Sequence, residues 1–130
     1  MSDDASRAGL QIRREMFGSE TTDRQVAQAN AFTRPMQDVV SRYCFGETWS
    51  REGLARRERS MVTLGVLCAM GRSQELKVHV AGALSNGVSP VEIREVLLHS
   101  MVYCGVPLGV DAFRNAAEAL TQMGIDLDKL

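Results

Sequence analysis

The sequence predicts an all-α protein. Apolar residues recur at intervals of three and four, β-branched runs with period-two alternation are absent, and only three prolines occur, Pro35, Pro90 and Pro107. The 130 residues suit a single domain, 1–130, with a real hydrophobic core.

The elements follow in order. An amphipathic first helix is expected from Ser6 to Met16, ending before Phe17-Gly18. A second, short helix runs from Thr22 to Ala31 with Asp23 in its first turn. A third starts near Thr33, which can cap it, with Pro35 in the first turn. It carries Met36, Val39, Val40 and Tyr43 on one side and ends near Gly46. The stretch from Glu47 to Gly53 reads as a loop or irregular turn. The helix Arg56–Met70 opens with charge and then becomes almost wholly apolar, the pattern of a helix buried in a domain or between subunits. Gly71 ends it, Ser73 can cap the next helix, and Asn86-Gly87 ends that one. Ser89-Pro-Val-Glu92 is a capping box with proline at the first helical position. Its helix runs to Tyr103-Cys-Gly105, and a last helix is expected from Asp111 to Met123.

Composition narrows the function classes. The chain is 45% apolar and 24% charged, the ordinary balance of a globular protein. A net charge of −1 gives no electrostatic footprint for nucleic acid or an anionic membrane. Apolar runs such as Leu64 to Met70 are far too short to span a bilayer. The opening Met1-Ser-Asp-Asp is acidic where a signal peptide is basic, so a cytoplasmic location is expected. Cys44, Cys68 and Cys104 form no CxxC and no disulfide framework, which fits reduced thiols. His79 and His99 stand twenty residues apart without metal-ligand spacing, so no metal is expected.

Glu75 and His79 are the most informative pair. They lie four residues apart on a predicted helix and leave one face, shared with Leu76, Val80, Ala83 and Leu84. A carboxylate and an imidazole at an apolar surface can form a tuned proton-transfer pair. The same spacing also suits a solvated carboxylate beside a structural histidine.

Several short words occur in a fixed order: Trp49-Ser-Arg-Glu-Gly-Leu54, Arg59-Ser-Met-Val-Thr63, Glu75-Leu-x-x-His79, Asn86-Gly-Val-Ser, Glu95-Val-Leu-Leu and Tyr103-Cys-Gly-x-Pro107. Together they resemble the carboxymuconolactone decarboxylase family over nearly the whole chain. The resemblance implies an all-α bundle of the alkyl hydroperoxidase D type, assembled as a symmetric homo-oligomer, a trimer or a hexamer. It also implies cofactor-free decarboxylation of γ-carboxymuconolactone in the protocatechuate branch of the β-ketoadipate pathway. The chain departs from the family's pattern at several places. Tyr43 and Phe45 stand where Arg-His-Ala-Trp-Gly has histidine and tryptophan, Glu52 replaces a proline, and His99 replaces a glutamine.

With that resemblance, His79 is the expected proton donor and Glu75 its orienting partner or relay. Arg51, Arg59 and Arg72 are candidates for clamping substrate carboxylates. Tyr43 can donate to substrate, Trp49 can line the pocket or anchor packing, and Cys104, in Cys104-Gly-Val-Pro107, can line the pocket. Three other readings stay open. A thiol peroxidase of the same fold needs two thiols where Arg72 and Glu75 stand. A decarboxylase, isomerase or cyclase on another lactone or related acid fits the change at Tyr43. A non-catalytic ligand-binding oligomer needs neither Glu75 nor His79.

Overall fold

Glycine brings the first two layers of the chain together. The computed structural model describes residues 2–130, so Met1, which opens the acidic start, lies outside the described residues. Helix α1 (Ser2–Phe17) lies against a π-helix (Val40–Trp49). A Cβ on Gly9 would stand 1.6 Å from the Ser41 carbonyl oxygen, and one on Gly46 would stand 2.0 Å from that of Ala5. Only hydrogen fits at either position. Helix α2 (Ser19–Ala27) and helix α3 (Arg34–Val39), which runs straight into the π-helix, complete this unit. Its core is Ile12, Met16, Phe45 and Trp49. Phe45 stacks on Trp49 at 5.7 Å and meets Phe17 edge-on at 5.8 Å. Arg13, only 4% exposed, donates to Ser41 Oγ at 2.8 Å and to Gln25 Oε1 at 3.0 Å, joining α1, α2 and the π-helix.

The second compact unit, from Arg56 to Leu130, holds α4 (Arg56–Met70), α5 (Ser73–Ser85), α6 (Pro90–Cys104), α7 (Val106–Gln122) and a 3₁₀ turn (Leu127–Lys129). Helix α4 packs on α5 and α6, and α7 packs on all three. Leu64, Leu76, Val80, Ile93 and Leu97 form the centre of its core. The capping box at the start of α6 is present in full, with Ser89 Oγ accepting from Glu92 N at 3.1 Å and Glu92 Oε1 from Ser89 N at 3.0 Å.

All described residues in regular structure are helical, as expected, but several details differ. The second helix is Ser19–Ala27, with Glu20 as its first-turn acid instead of Asp23. Thr33 occupies the N-cap without capping, because its hydroxyl accepts from Asn30 N at 3.0 Å. The expected loop at Glu47 is still helical, since the π-helix continues to Trp49. Helix α7 begins at Val106, because Gly105 adopts φ 109° and ends α6 in one residue, leaving Pro107 in the first turn of the next helix. Within one chain α4 is not buried all round: Val62, Val66 and Met70 are 58%, 49% and 64% exposed.

Candidate active site

The cation at the start of α5 is already paired. Arg72 is the N-cap residue but makes no side-chain cap. Its guanidinium donates through Nε, at 3.2 Å, and through Nη2 to the same oxygen of Glu75. Glu75 sits in the first turn, where the helix dipole also favours a carboxylate. The hydrogen bond from Arg72 holds the Glu75 carboxyl below the usual carboxylate range, and in return raises the guanidinium pKa.

His79 follows one turn later on the same side of the helix. Its ring is half-buried and its Nδ1 is sealed from solvent. Burial pushes its pKa below 6.5, while the negative charge of Glu75 pulls the other way. The free protein therefore favours neutral imidazole at neutral pH. An anion arriving beside the ring would favour the protonated form again.

The rest of α5 fixes this edge in place. Leu76, Val80 and Ala83 are buried in the core, so the charged edge cannot rotate without exposing them. Ser73 does not cap α5 as expected; it is the first helical residue, and its hydroxyl donates to Asp111 Oδ2 on α7 at 2.6 Å. Lys77 Nζ adds a second tie to α7, 2.9 Å from Glu118 Oε1.

Of the residues singled out in the sequence, the structure brings Arg72, Glu75 and His79 together. Glu75 was expected to serve His79 and Arg72 to await substrate; the geometry couples Arg72 to Glu75 first. Arg59 is half-buried in the first turn of α4, its carbonyl accepting from Thr63 Oγ1 at 2.8 Å. Cys104 is half-buried at the end of α6, with its sulfur 4.0 Å from that of Cys68. His99 is exposed, its ring 5.1 Å from that of Tyr103, and lines an open groove between α4 and α6 with Glu95 and Ser100.

Three candidates lie in the first unit. Tyr43 is 61% exposed on the π-helix, Trp49 is buried in the core, and Arg51 is exposed just beyond the π-helix. Burial against Phe45 gives Trp49 the packing role of the two open to it. Asp111 was missed by the sequence reading as a support for α5. Its partner Ser73 is 38 residues away, and no local pattern marks the pair.

Residues 34–121 match the model of the carboxymuconolactone decarboxylase family. The chain is 38% identical over 122 residues to a 4-carboxymuconolactone decarboxylase of Acinetobacter baylyi, covering 94% of this chain and 91% of that one. It is 37% identical over 115 residues to a nitrosuccinic acid decarboxylase of Metarhizium robertsii, covering 88% of this chain and 80% of that one.

Proposed function

The chain belongs to the carboxymuconolactone decarboxylase family and is a carboxy-lyase, and on that premise we propose that its substrate is 4-carboxymuconolactone, converted to the β-ketoadipate enol-lactone in protocatechuate catabolism. The observation that carries this reading is the Arg72–Glu75–His79 edge of α5, which sets a cation, a carboxylate and a half-buried imidazole in sequence on one rigid helix.

The substrate supplies its own electron sink. The bond from the ring γ-carbon to its carboxylate breaks, and CO2 leaves. The electron pair passes through the ring alkene onto the lactone oxygen, giving an enolate. A proton delivered to the ring α-carbon then yields the enol-lactone. The protein's tasks are to hold carboxylates, to stabilise the enolate oxygen and to supply that proton. His79 delivers the proton. Glu75 keeps imidazolium accessible by its charge. Arg72 and Arg59 supply cations for the carboxylates, and Cys104 lines the pocket. No cofactor is required by this electron flow.

The two acids named by the relatives share a feature that supports a common site. Each carries its departing carboxylate on a carbon attached to an electron sink, the unsaturated lactone in one and the nitro group in the other. Each also bears a carboxymethyl arm on that carbon. A cation that grips the arm and an acid near the sink would serve both. Decarboxylation of an acyclic acid such as nitrosuccinate is thus the second reading, favoured by Tyr43 where the family's pattern has histidine.

The assembly we propose is a symmetric homo-oligomer, a trimer or hexamer, in the cytoplasm. Its support is the exposed stripe Val62, Val66 and Met70, which recurs every four residues along α4 and leaves one apolar edge for a second copy.

The test is turnover of freshly generated 4-carboxymuconolactone by the purified protein, with nitrosuccinate in parallel. Conversion of the lactone, reduced by about two to four orders of magnitude in His79→Ala, is the expected result. A general acid must be protonated, so kcat/KM should fall as pH rises through the lowered pKa of His79. Turnover of neither acid by a folded protein, or an unaltered rate in the variant, would refute the assignment.

A further inference from the structure

Two thiols that the decarboxylation does not use as a pair face each other across the second unit. Cys68 lies in the last turns of α4 and is 2% exposed; Cys104 is the final residue of α6 and half-buried. They are 36 residues apart in sequence, yet their sulfurs lie 4.0 Å apart. We propose that Cys68 and Cys104 form a redox modification site, oxidised by a hydroperoxide to an intramolecular disulfide that staples α4 to the end of α6.

The chemistry assigns the two sulfurs different parts. Cys104 is the one that a small oxidant reaches. Its thiolate attacks the peroxide, the O–O bond breaks, sulfur becomes sulfenic acid, and hydroxide or alcohol leaves. The Cys68 thiolate then attacks the Cys104 sulfur and expels its hydroxyl group, which leaves as water. Overall two thiols lose two hydrogens while one peroxide is reduced. Closing the gap to a bonded distance of about 2 Å takes side-chain rotation and a small shift. The shift is eased by Gly105, where α6 stops, next to Cys104.

The surroundings make the second step slow at neutral pH. Burial, the hydrogen bond and charge of Cys104, and the charge of Asp111 on α7 push the Cys68 thiol up to about 11. From the α5 side, Arg72 and Ser73 line the same small cavity as Cys68 and Asp111. Ring closure should therefore quicken as pH rises. The staple also adjoins the candidate site, since the Cys68 carbonyl accepts from Gly71 N at 3.1 Å in the turn that presents Arg72.

The test exposes the full, reduced chain to hydrogen peroxide, then unfolds it, alkylates free thiols and measures intact mass and peptides. The expected product lacks two hydrogens, accepts one alkyl group instead of three, contains a Cys68–Cys104 linked peptide and melts at a higher temperature. Dithiothreitol should return all three thiols. In Cys68→Ser, the intramolecular product should vanish and Cys104 should pass on to sulfinic acid. Three alkylated thiols in the treated wild type, sulfinic acid at Cys104 with Cys68 still free, or a link between two chains would each overturn the proposal. The wild-type peptide map decides even if the variant does not fold.

Discussion

Replacing Gly9 by alanine puts two known effects in opposition, and the structure decides the sign. Gly9 lies inside α1, where alanine is favoured over glycine by about 0.8–1 kcal/mol. Without a neighbour the change would stabilise. The new Cβ would, however, stand 1.6 Å from the Ser41 carbonyl oxygen and 2.9 Å from Gly46 N. A carbon–oxygen contact needs about 3.3 Å, so α1 must move away by more than a bond length. Both obstructing atoms are backbone and cannot rotate aside. Overpacking of this kind costs about 1–3 kcal/mol and at times more. Because backbone blocks the new Cβ, the upper cost of about 3 kcal/mol applies; less about 1 kcal/mol of helix preference, and with a urea slope of about 1.5 kcal/mol/M, the midpoint should fall by about 1.3 M.

The assay is built into the chain. Trp49 is its one tryptophan and lies in the core of the first unit, so its fluorescence follows that unit. Gly65→Ala in α4 is the control, because its Cβ would meet only the Ser100 hydroxyl, at 3.1 Å, and should not lower the midpoint. A Gly9→Ala protein with a higher midpoint than wild type would refute the close approach of α1 to the π-helix.

The other predictions are shorter. Ser89→Ala should cost about 1 kcal/mol by removing the hydroxyl that accepts from Glu92 N, while the bond from Ser89 N to Glu92 remains, read by thermal unfolding. Burial lowers the His79 pKa, so its contribution is complete above the unfolded value near 6.5 and is lost as pH falls toward the folded pKa. Melting temperature should decline through that window in wild type and less in His79→Gln; the depressed Glu75 carboxyl acts in the same direction, but only below its ordinary value of 4.5. Arg72→Lys should raise KM more than it lowers kcat, because an ammonium cannot give the planar fork to a carboxylate; equal kinetics would remove Arg72 from substrate binding.

Local chemistry made some elements readable. The limits of α4 follow from its charged start and Gly71, and the start of α6 from Ser89, Pro90 and Glu92. The α7 boundary was read too late because Pro107 resembles a stop, although a single left-handed Gly105 lets proline open the next helix. The π-helix was hidden for a related reason. Gly46 resembles a terminator, while its actual use is contact with the Ala5 carbonyl, which only the fold reveals. At the candidate site the spacing of Arg72, Glu75 and His79 was visible, but which partner would hold the carboxylate was not. The Ser73–Asp111 and Cys68–Cys104 pairs span 38 and 36 residues, and depend on helix packing that no local pattern encodes.

The π-helix changes how the chain counts. Its hydrogen bonds close across five residues instead of four, so the span from Val40 to Trp49 accommodates surplus length without breaking its peptide ladder. A single-residue deletion there would let the segment tighten into an ordinary helix instead of destroying it. An ordinary helix turns about 100° per residue, more than a π-helix does, so side chains beyond the deletion would be re-aimed. Trp49 would leave its stack on Phe45, and Arg51 would point in a new direction. In this segment an indel therefore acts as a rotary adjustment: it re-aims residues without dismantling the element that carries them.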